Sequence, residues 1–229
     1  MLRATTSRRG YLAKSPRERL ATSNGVYLIL DKPKFYRFSL KKIRSLVAGK
    51  KVGLIQLRDK YGSKSDVLKF AIRLAKEVAS TKTLFIINDY VDIAFAAKAD
   101  GVHLGQGDLS LIKARKILGK NKIIGISCHN LSQALKAQEE GADYIGIGPI
   151  YATATKPGYK AIGLKAAAEL KTKIKIPYFA IGNIHEGNIE KVSAAGIRRV
   201  AVCRAILEAK NPNLSVKGLY KKLKKYDTT

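Results

Sequence analysis

Eight short apolar runs recur along this chain, at 26–30, 52–57, 84–87, 101–104, 123–126, 144–147, 178–181 and 200–202, with amphipathic stretches between them. A repeat of about 20 to 30 residues is the spacing of βα units. Runs this short and this rich in β-branched residues suit strands buried on both faces, as in a parallel sheet covered by helices. The stretches between them have helical spacing: within 65–79, Val67, Leu68, Ala71, Ile72, Ala75 and Val78 fall on one face. Further helices are expected over 109–118, 131–139 and 188–195. The fold class this predicts is α/β, a single (β/α)8 TIM barrel with eight parallel strands. A doubly wound sheet is the alternative, but the Gly-x-Gly-x-x-Gly turn that marks its first βα unit is absent.

Five of the runs end abruptly in residues suited to holding phosphate or metal. Gln56-Leu57-Arg58-Asp59-Lys60 closes the second, Asn88-Asp89 the third and Gly105-Gln106-Gly107-Asp108 the fourth. Ser127-Cys128-His129 closes the fifth, and Thr153-Ala154-Thr155-Lys156 follows the sixth. In a barrel the loops after the strands gather on one rim, where the chemistry is found, so five polar strand ends describe one site. Alternation along a strand aims them. Gln56, Arg58 and Lys60 share a side while Leu57 and Asp59 face away, and Ser127 and His129 share a side while Cys128 points toward the helices. Cys128 is therefore expected to be a small core residue rather than a nucleophile.

At 229 residues and 46% hydrophobic the chain is long enough for one such barrel. No apolar run approaches the roughly 20 residues that span a bilayer. Cys128 and Cys203 lie far apart, with neither metal-ligand nor disulfide-framework spacing, and a reducing cytoplasm is the simplest setting. The outlier is charge: 44 Lys and Arg against 17 Asp and Glu, a formal net of +27. Such a balance could attract nucleic acid or acidic membrane surfaces, or reflect solvated lysines on helix surfaces, and in either case it concentrates anionic substrates. The aromatics are scattered and Trp is absent, which argues against a base-stacking nucleic-acid binder. Residues 1–24 are Arg- and Ser-rich and are expected to be a basic flexible extension, although an organelle transit peptide has a similar composition. Residues 25–210 would form the catalytic domain, and 211–229 a basic C-terminal helix or tail. Assembly into a homo-oligomer is left open.

Asp89 and Asp108 end neighbouring strands. Two carboxylates there, beside Asn88, suit Mg²⁺, which takes a few oxygen ligands, keeps several waters and shares the remainder with substrate phosphates. An N-cap for the following helix is the alternative for Asp108, and a loop hydrogen bond for Asp89. Arg58, Lys60 and Lys156 supply cation density, Arg as a two-pronged phosphate grip and Lys as a point charge. A second anion site is expected where Gly182-Asn183 and Cys203-Arg204 close the last two strands. Barrels often bind phosphate at these loops through backbone N–H groups. Thr153 and Thr155 could add hydroxyls there.

These motifs, in this order and spacing between about 26 and 206, resemble thiamine phosphate synthase. The Gly101-Val102-His103-Leu104-Gly105-Gln106 and Gly146-Ile147-Gly148-Pro149-Ile150-Tyr151 segments strengthen the likeness. The resemblance implies a transferase on a (β/α)8 barrel, with phosphorylated small molecules as partners and Mg²⁺ as cofactor. It would join hydroxymethylpyrimidine diphosphate to a thiazole phosphate, carboxylated or not, by dissociative loss of diphosphate. Gln56, Arg58, Lys60, Asn88, Ser127 and Lys156 would hold the pyrimidine diphosphate, and Arg58, Lys60, Ser127 and Lys156 would be catalytic. Asp89 and Asp108 would ligate the metal. Thr153, Thr155, Gly182, Cys203 and Arg204 would hold the thiazole phosphate. Three positions depart from the family's pattern: Asn183 for a second glycine, Arg204 for a small residue and Tyr90 for an arginine. His129 lies at the rim without an assigned role. The related thiazole tautomerase branch and a non-catalytic nucleic-acid-binding barrel are the competing readings. The paired carboxylates and the Thr-x-Thr-Lys segment weigh against both.

Overall fold

The computed structural model describes residues 14–23, 25–32, 38–153 and 158–225. Its strands are β1 (Val26–Asp31), β2 (Val52–Arg58), β3 (Leu84–Asn88), β4 (Gly101–Leu104), β5 (Ile123–Cys128), β6 (Tyr144–Ile147), β7 (Tyr178–Ile181) and β8 (Val200–Val202). Each pairs in parallel with its sequence neighbour, and β8 returns to β1 to close the barrel. Several strands run one or two residues past the apolar runs that announced them. Asp31 pairs with Arg58 in register, and Asn88 with His103. Polar residues at strand ends hide those ends from a hydrophobicity reading, while the backbone ladder simply continues.

Closure sorts the apolar residues into two cores. Leu28, Leu30, Ile55, Leu57, Ile87 and Val102 face outward against the helices. Tyr27, Ile29, Leu54, Leu84, Ile86, Ile123, Tyr144 and Phe179 fill the interior. The helical cover comprises α2 (Leu40–Ala48), α3 (Lys64–Ala79), α4 (Val91–Ala96), α5 (Leu111–Leu118), α6 (Leu131–Glu139), α7 (Gly163–Lys173), α8 (Ile189–Ala194), α9 (Arg204–Leu207) and α10 (Pro212–Lys224). Helix α10 packs on α8, α9 and α2, burying Val216, Leu219 and Leu223, so this part of the basic C-terminal segment is bound to the barrel. None of these helices is long and apolar enough to cross a membrane.

Part of the expected flexible extension is folded. Residues Pro16–Ala21 form helix α1, started by a capping box between Ser15 and Glu18. Its Leu20 is 2% exposed and belongs to the interior core, inserted where the strands begin. Arg17 Nε lies 2.5 Å from Asp143, a carboxylate that Arg115 also grips at 2.6 Å and that accepts the Ile124 N–H. Arg19 reaches Asp100 and the carbonyls of Lys82 and Thr83. Composition marked this segment as polar, but its one well-placed leucine plugs the barrel floor. Residues 1–13 and 226–229 lie outside the described residues.

Leu20→Ala should therefore cost about 2–5 kcal/mol, because it empties a filled interior position. Urea unfolding measures this, and an unchanged midpoint would mean that α1 does not seal the barrel.

Candidate functional site

At the rim formed by the strand C-termini lies a cavity of about 300 Å³, lined on one side by Gln56, Arg58, Asn88 and Ser127 and on the other by Thr153, Gly182, Cys203 and Arg204. One rim thus brings together the residues that the sequence placed at six separate strand ends. Thr155 and Lys156 lie outside the described residues.

Register fixes the first side. Gln56 is 2% exposed, and its amide nitrogen donates to the Tyr27 hydroxyl. Arg58 reaches the cavity with one guanidinium nitrogen on the Asp31 carboxylate, its register partner on β1. Asp59 faces away as parity requires. It accepts the N–H groups of Tyr61 and Gly62 at 3.0 and 2.8 Å and binds Lys32 at 2.9 Å, so it shapes the loop rather than the cavity.

Asp89 follows Asn88 with a left-handed φ of 62°, and its carboxylate meets both Lys60 Nζ, at 3.1 Å, and the Asp108 carboxylate. Burial, and then the facing Asp108, hold Asp89 above the usual carboxylate range, while Lys60 pulls the other way. Asp108 does not cap the next helix. Helix α5 begins at Leu111 after Ser110, and Asp108 instead accepts the Gly105 N–H at 2.6 Å. A buried carboxylate facing a second one is a place where a cation would relieve repulsion. No cluster of three or more His, Cys, Asp or Glu occurs among the described residues. A pair of oxygen ligands with open positions fits Mg²⁺ rather than a closed Zn²⁺ cage.

On the second side Gly182 has φ 114°, and a Cβ there would stand 2.6 Å from Pro149 Cα. Asn183 takes φ 49°, a left-handed angle that glycine adopts most easily and Asn better than most other residues. The Cys203 thiol is pushed up to about 12, mainly by burial and then by the Asp31 charge, which keeps it a neutral wall residue. Burial alone raises Cys128 to the same level, behind the barrel wall. Arg204 neither fills the cavity nor stands alone: its Nε is 3.0 Å from Glu208 on the same helix, with the side chain about half exposed.

Sequence reasoning left several residues without a role. His129, expected at the rim, lines the cavity; its Nδ1–H donates to the Gly148 carbonyl at 2.7 Å, and its ring stacks on Tyr159 at 4.2 Å. Asp31, the partner of Arg58, was hidden at the end of an apolar run. Tyr27 and His103 are buried in the cavity floor, and Tyr144 lies behind them. The register of β1 on β2, β4 on β5 and β5 on β6 turns all three inward, and alternation within a single strand could not supply that pairing.

Fold and rim together define a (β/α)8 barrel built to handle phosphorylated ligands beside an acidic pair. Comparison with known proteins makes this specific. Residues 26–206 match the family described as thiamine monophosphate synthase, and the chain belongs to that family. A thiamine-phosphate synthase from Clostridium acetobutylicum is 41% identical over 204 residues, covering 89% of this chain and 96% of that protein. One from Prochlorococcus marinus is 43% identical over 185 residues, covering 80% of this chain but 54% of that protein, so the chain spans about half of that longer relative. Among solved structures, thiamine phosphate pyrophosphorylase from Pyrococcus furiosus superposes with a TM-score of 0.81 at 30% identity, over 92% of this chain and 98% of that one.

Gly182→Ala combines a disallowed φ with contact against Pro149. It should lower stability by about 1–3 kcal/mol, read from urea unfolding. Wild-type stability would show that this turn can relax.

Proposed function

We propose that the protein condenses a hydroxymethylpyrimidine diphosphate with a thiazole phosphate to give thiamine monophosphate and diphosphate. The observation that supports this best is the division of the barrel rim. Arg58 lines the cavity on one side, with the acidic pair and Lys60 on the neighbouring β2, β3 and β4 loops outside its lining, and the Gly182 turn with the head of α9 lines the other. A leaving diphosphate needs the first and an acceptor monophosphate the second.

In this reading Asp89 and Asp108 hold Mg²⁺, which supplies charge neutralisation for the departing diphosphate. Arg58, oriented by Asp31, and Lys60, exchanging Asp89 for phosphate oxygens, meet the negative charge that grows on the leaving group. Preorganised cations lower a barrier most where charge develops. Gln56, Asn88 and Ser127 hold the pyrimidine diphosphate, with Lys156 joining them by its order in the sequence. Thr153, Gly182 and the backbone at Cys203 cradle the thiazole phosphate, with Thr155 expected beside them and Arg204 contributing charge from the rim. No group is placed as a covalent nucleophile, and the neutral thiols of Cys128 and Cys203 agree with that. Both cysteines are free, which supports a reducing, cytoplasmic setting.

Purified protein given both substrates should form thiamine phosphate with Mg²⁺, stop with chelator and resume when Mg²⁺ is restored. Absence of any Mg²⁺-dependent product would contradict the proposal. Arg204→Ser should raise the thiazole phosphate KM by roughly two- to fivefold, the size of an exposed ionic contact of up to ~1 kcal/mol. A lowered KM would show instead that the side chain crowds the subsite.

A further inference from the structure

Beneath the cavity a continuous hydrogen-bonded chain crosses the barrel. Gln56 Nε2 meets the Tyr27 hydroxyl, which lies 2.7 Å from the Tyr144 hydroxyl. That hydroxyl is 3.0 Å from His103 Nδ1, and His103 Nε2 is 2.9 Å from Ser127 Oγ. Five residues on β2, β1, β6, β4 and β5 are joined, and the two ends are residues proposed above to hold the diphosphate substrate. Tyr27 and Tyr144 are 2% and 0% exposed. Tyr144 does not line the cavity, so it cannot act on a ligand by contact.

The packing is committed to this arrangement. Tyr144 meets Tyr27 and Phe179 edge-on, with centroids 5.8 and 5.5 Å apart, and lies roughly parallel to the His103 ring at 5.4 Å. A Cβ on Gly125 would stand 2.1 Å from Tyr144 Cζ, so β5 carries glycine where the tyrosine ring passes. Burial pushes both phenols well above their ordinary value, which keeps each a neutral hydroxyl with one proton to give.

One proton per hydroxyl makes the chain directional. A Gln56 amide that donates to Tyr27 leaves Tyr27 donating to Tyr144, and Tyr144 donating to His103 Nδ1. His103 must then carry its proton on Nε2 and give that hydrogen bond to Ser127 Oγ, so the Ser127 hydroxyl proton is turned outward. The same order follows from the other end. A hydroxyl facing a diphosphate oxygen has to donate, so its oxygen must accept from His103, and each step back ends on the NH₂ end of Gln56, the end found against Tyr27. An imidazolium would break the order, because Tyr144 would then donate to Tyr27 and leave the Tyr27 proton buried without an acceptor.

We propose that Tyr27, Tyr144 and His103 are positioning residues that fix neutral, Nε2-protonated His103 and thereby hold Ser127 as a hydrogen-bond donor to the departing diphosphate. The tautomer stands on geometry alone. The consequence for turnover rests on the synthase reading.

Two measurements separate these. Nitrogen-15 NMR of histidine-labelled protein, with the His103 signals assigned by His103→Gln, should show a neutral ring protonated at Nε2, and Tyr144→Phe should perturb it. An Nδ1-protonated ring or an imidazolium would overturn the proposal whether or not the protein has synthase activity. In the synthase assay, Tyr144→Phe, which keeps the ring and removes one oxygen, should lower kcat by roughly 10–100-fold, as loss of an outer-shell partner does. The thiazole phosphate KM should stay unchanged. On a Ser127→Ala background the same substitution should have little further effect, since its target is gone. An undiminished kcat in the single variant, or an equal further loss in the double variant, would overturn the positioning role.

Discussion

Closure of the sheet, β8 against β1, is the constraint on which the site depends. It sends every strand C-terminus to one rim and fixes which residues of each strand turn inward. Gln56, Arg58, Asn88, His103 and Ser127 owe their aim to that parity, Asp59 owes its exclusion to it, and the Cys128 side chain is turned to the helix-facing core. The same closure creates an interior that apolar residues fill from below, with Leu20 as the lowest plug, so that the polar layer sits at the top against the cavity.

Charge at the rim is paired before any ligand arrives. Arg58 rests on Asp31 and Lys60 on Asp89, while Asp89 and Asp108 oppose each other. Arg58 is thus held in place by a carboxylate, and Lys60 is tethered more loosely with its side chain half exposed, which would reduce the ordering needed if phosphate binds as proposed. The acidic pair has only Lys60 against it, and in the proposed function a divalent cation would balance the remainder. The other side of the cavity depends more on backbone shape, with Gly182 and Asn183 both at left-handed angles.

Much of this was legible in the sequence because the period of apolar runs and the residues ending them carry complementary information. The runs give the barrel, and their polar endings give the rim. Three things escaped. The ends of β1 and β2 were read short because Asp31 and Arg58 are charged, so their pairing stayed hidden. Helix α1 was read as extension because a single leucine is too little signal beside so many arginines and serines. Tyr144 was read as the first residue of an apolar run, since hydrophobicity does not distinguish a packed ring from a hydroxyl relay. Asp108 lies on the loop after β4, and the capping alternative could be set aside only once Gly105 was seen to donate to it.

The claim that one rim holds one metal–diphosphate site is tested most directly by crystals grown with Mn²⁺ in place of Mg²⁺ and with diphosphate and thiamine phosphate. The prediction is an anomalous peak bonded to Asp89 and Asp108 and to diphosphate oxygens, with Arg58 and Lys60 on the same diphosphate. A metal bound elsewhere, or diphosphate seated on the Gly182 turn instead, would contradict it.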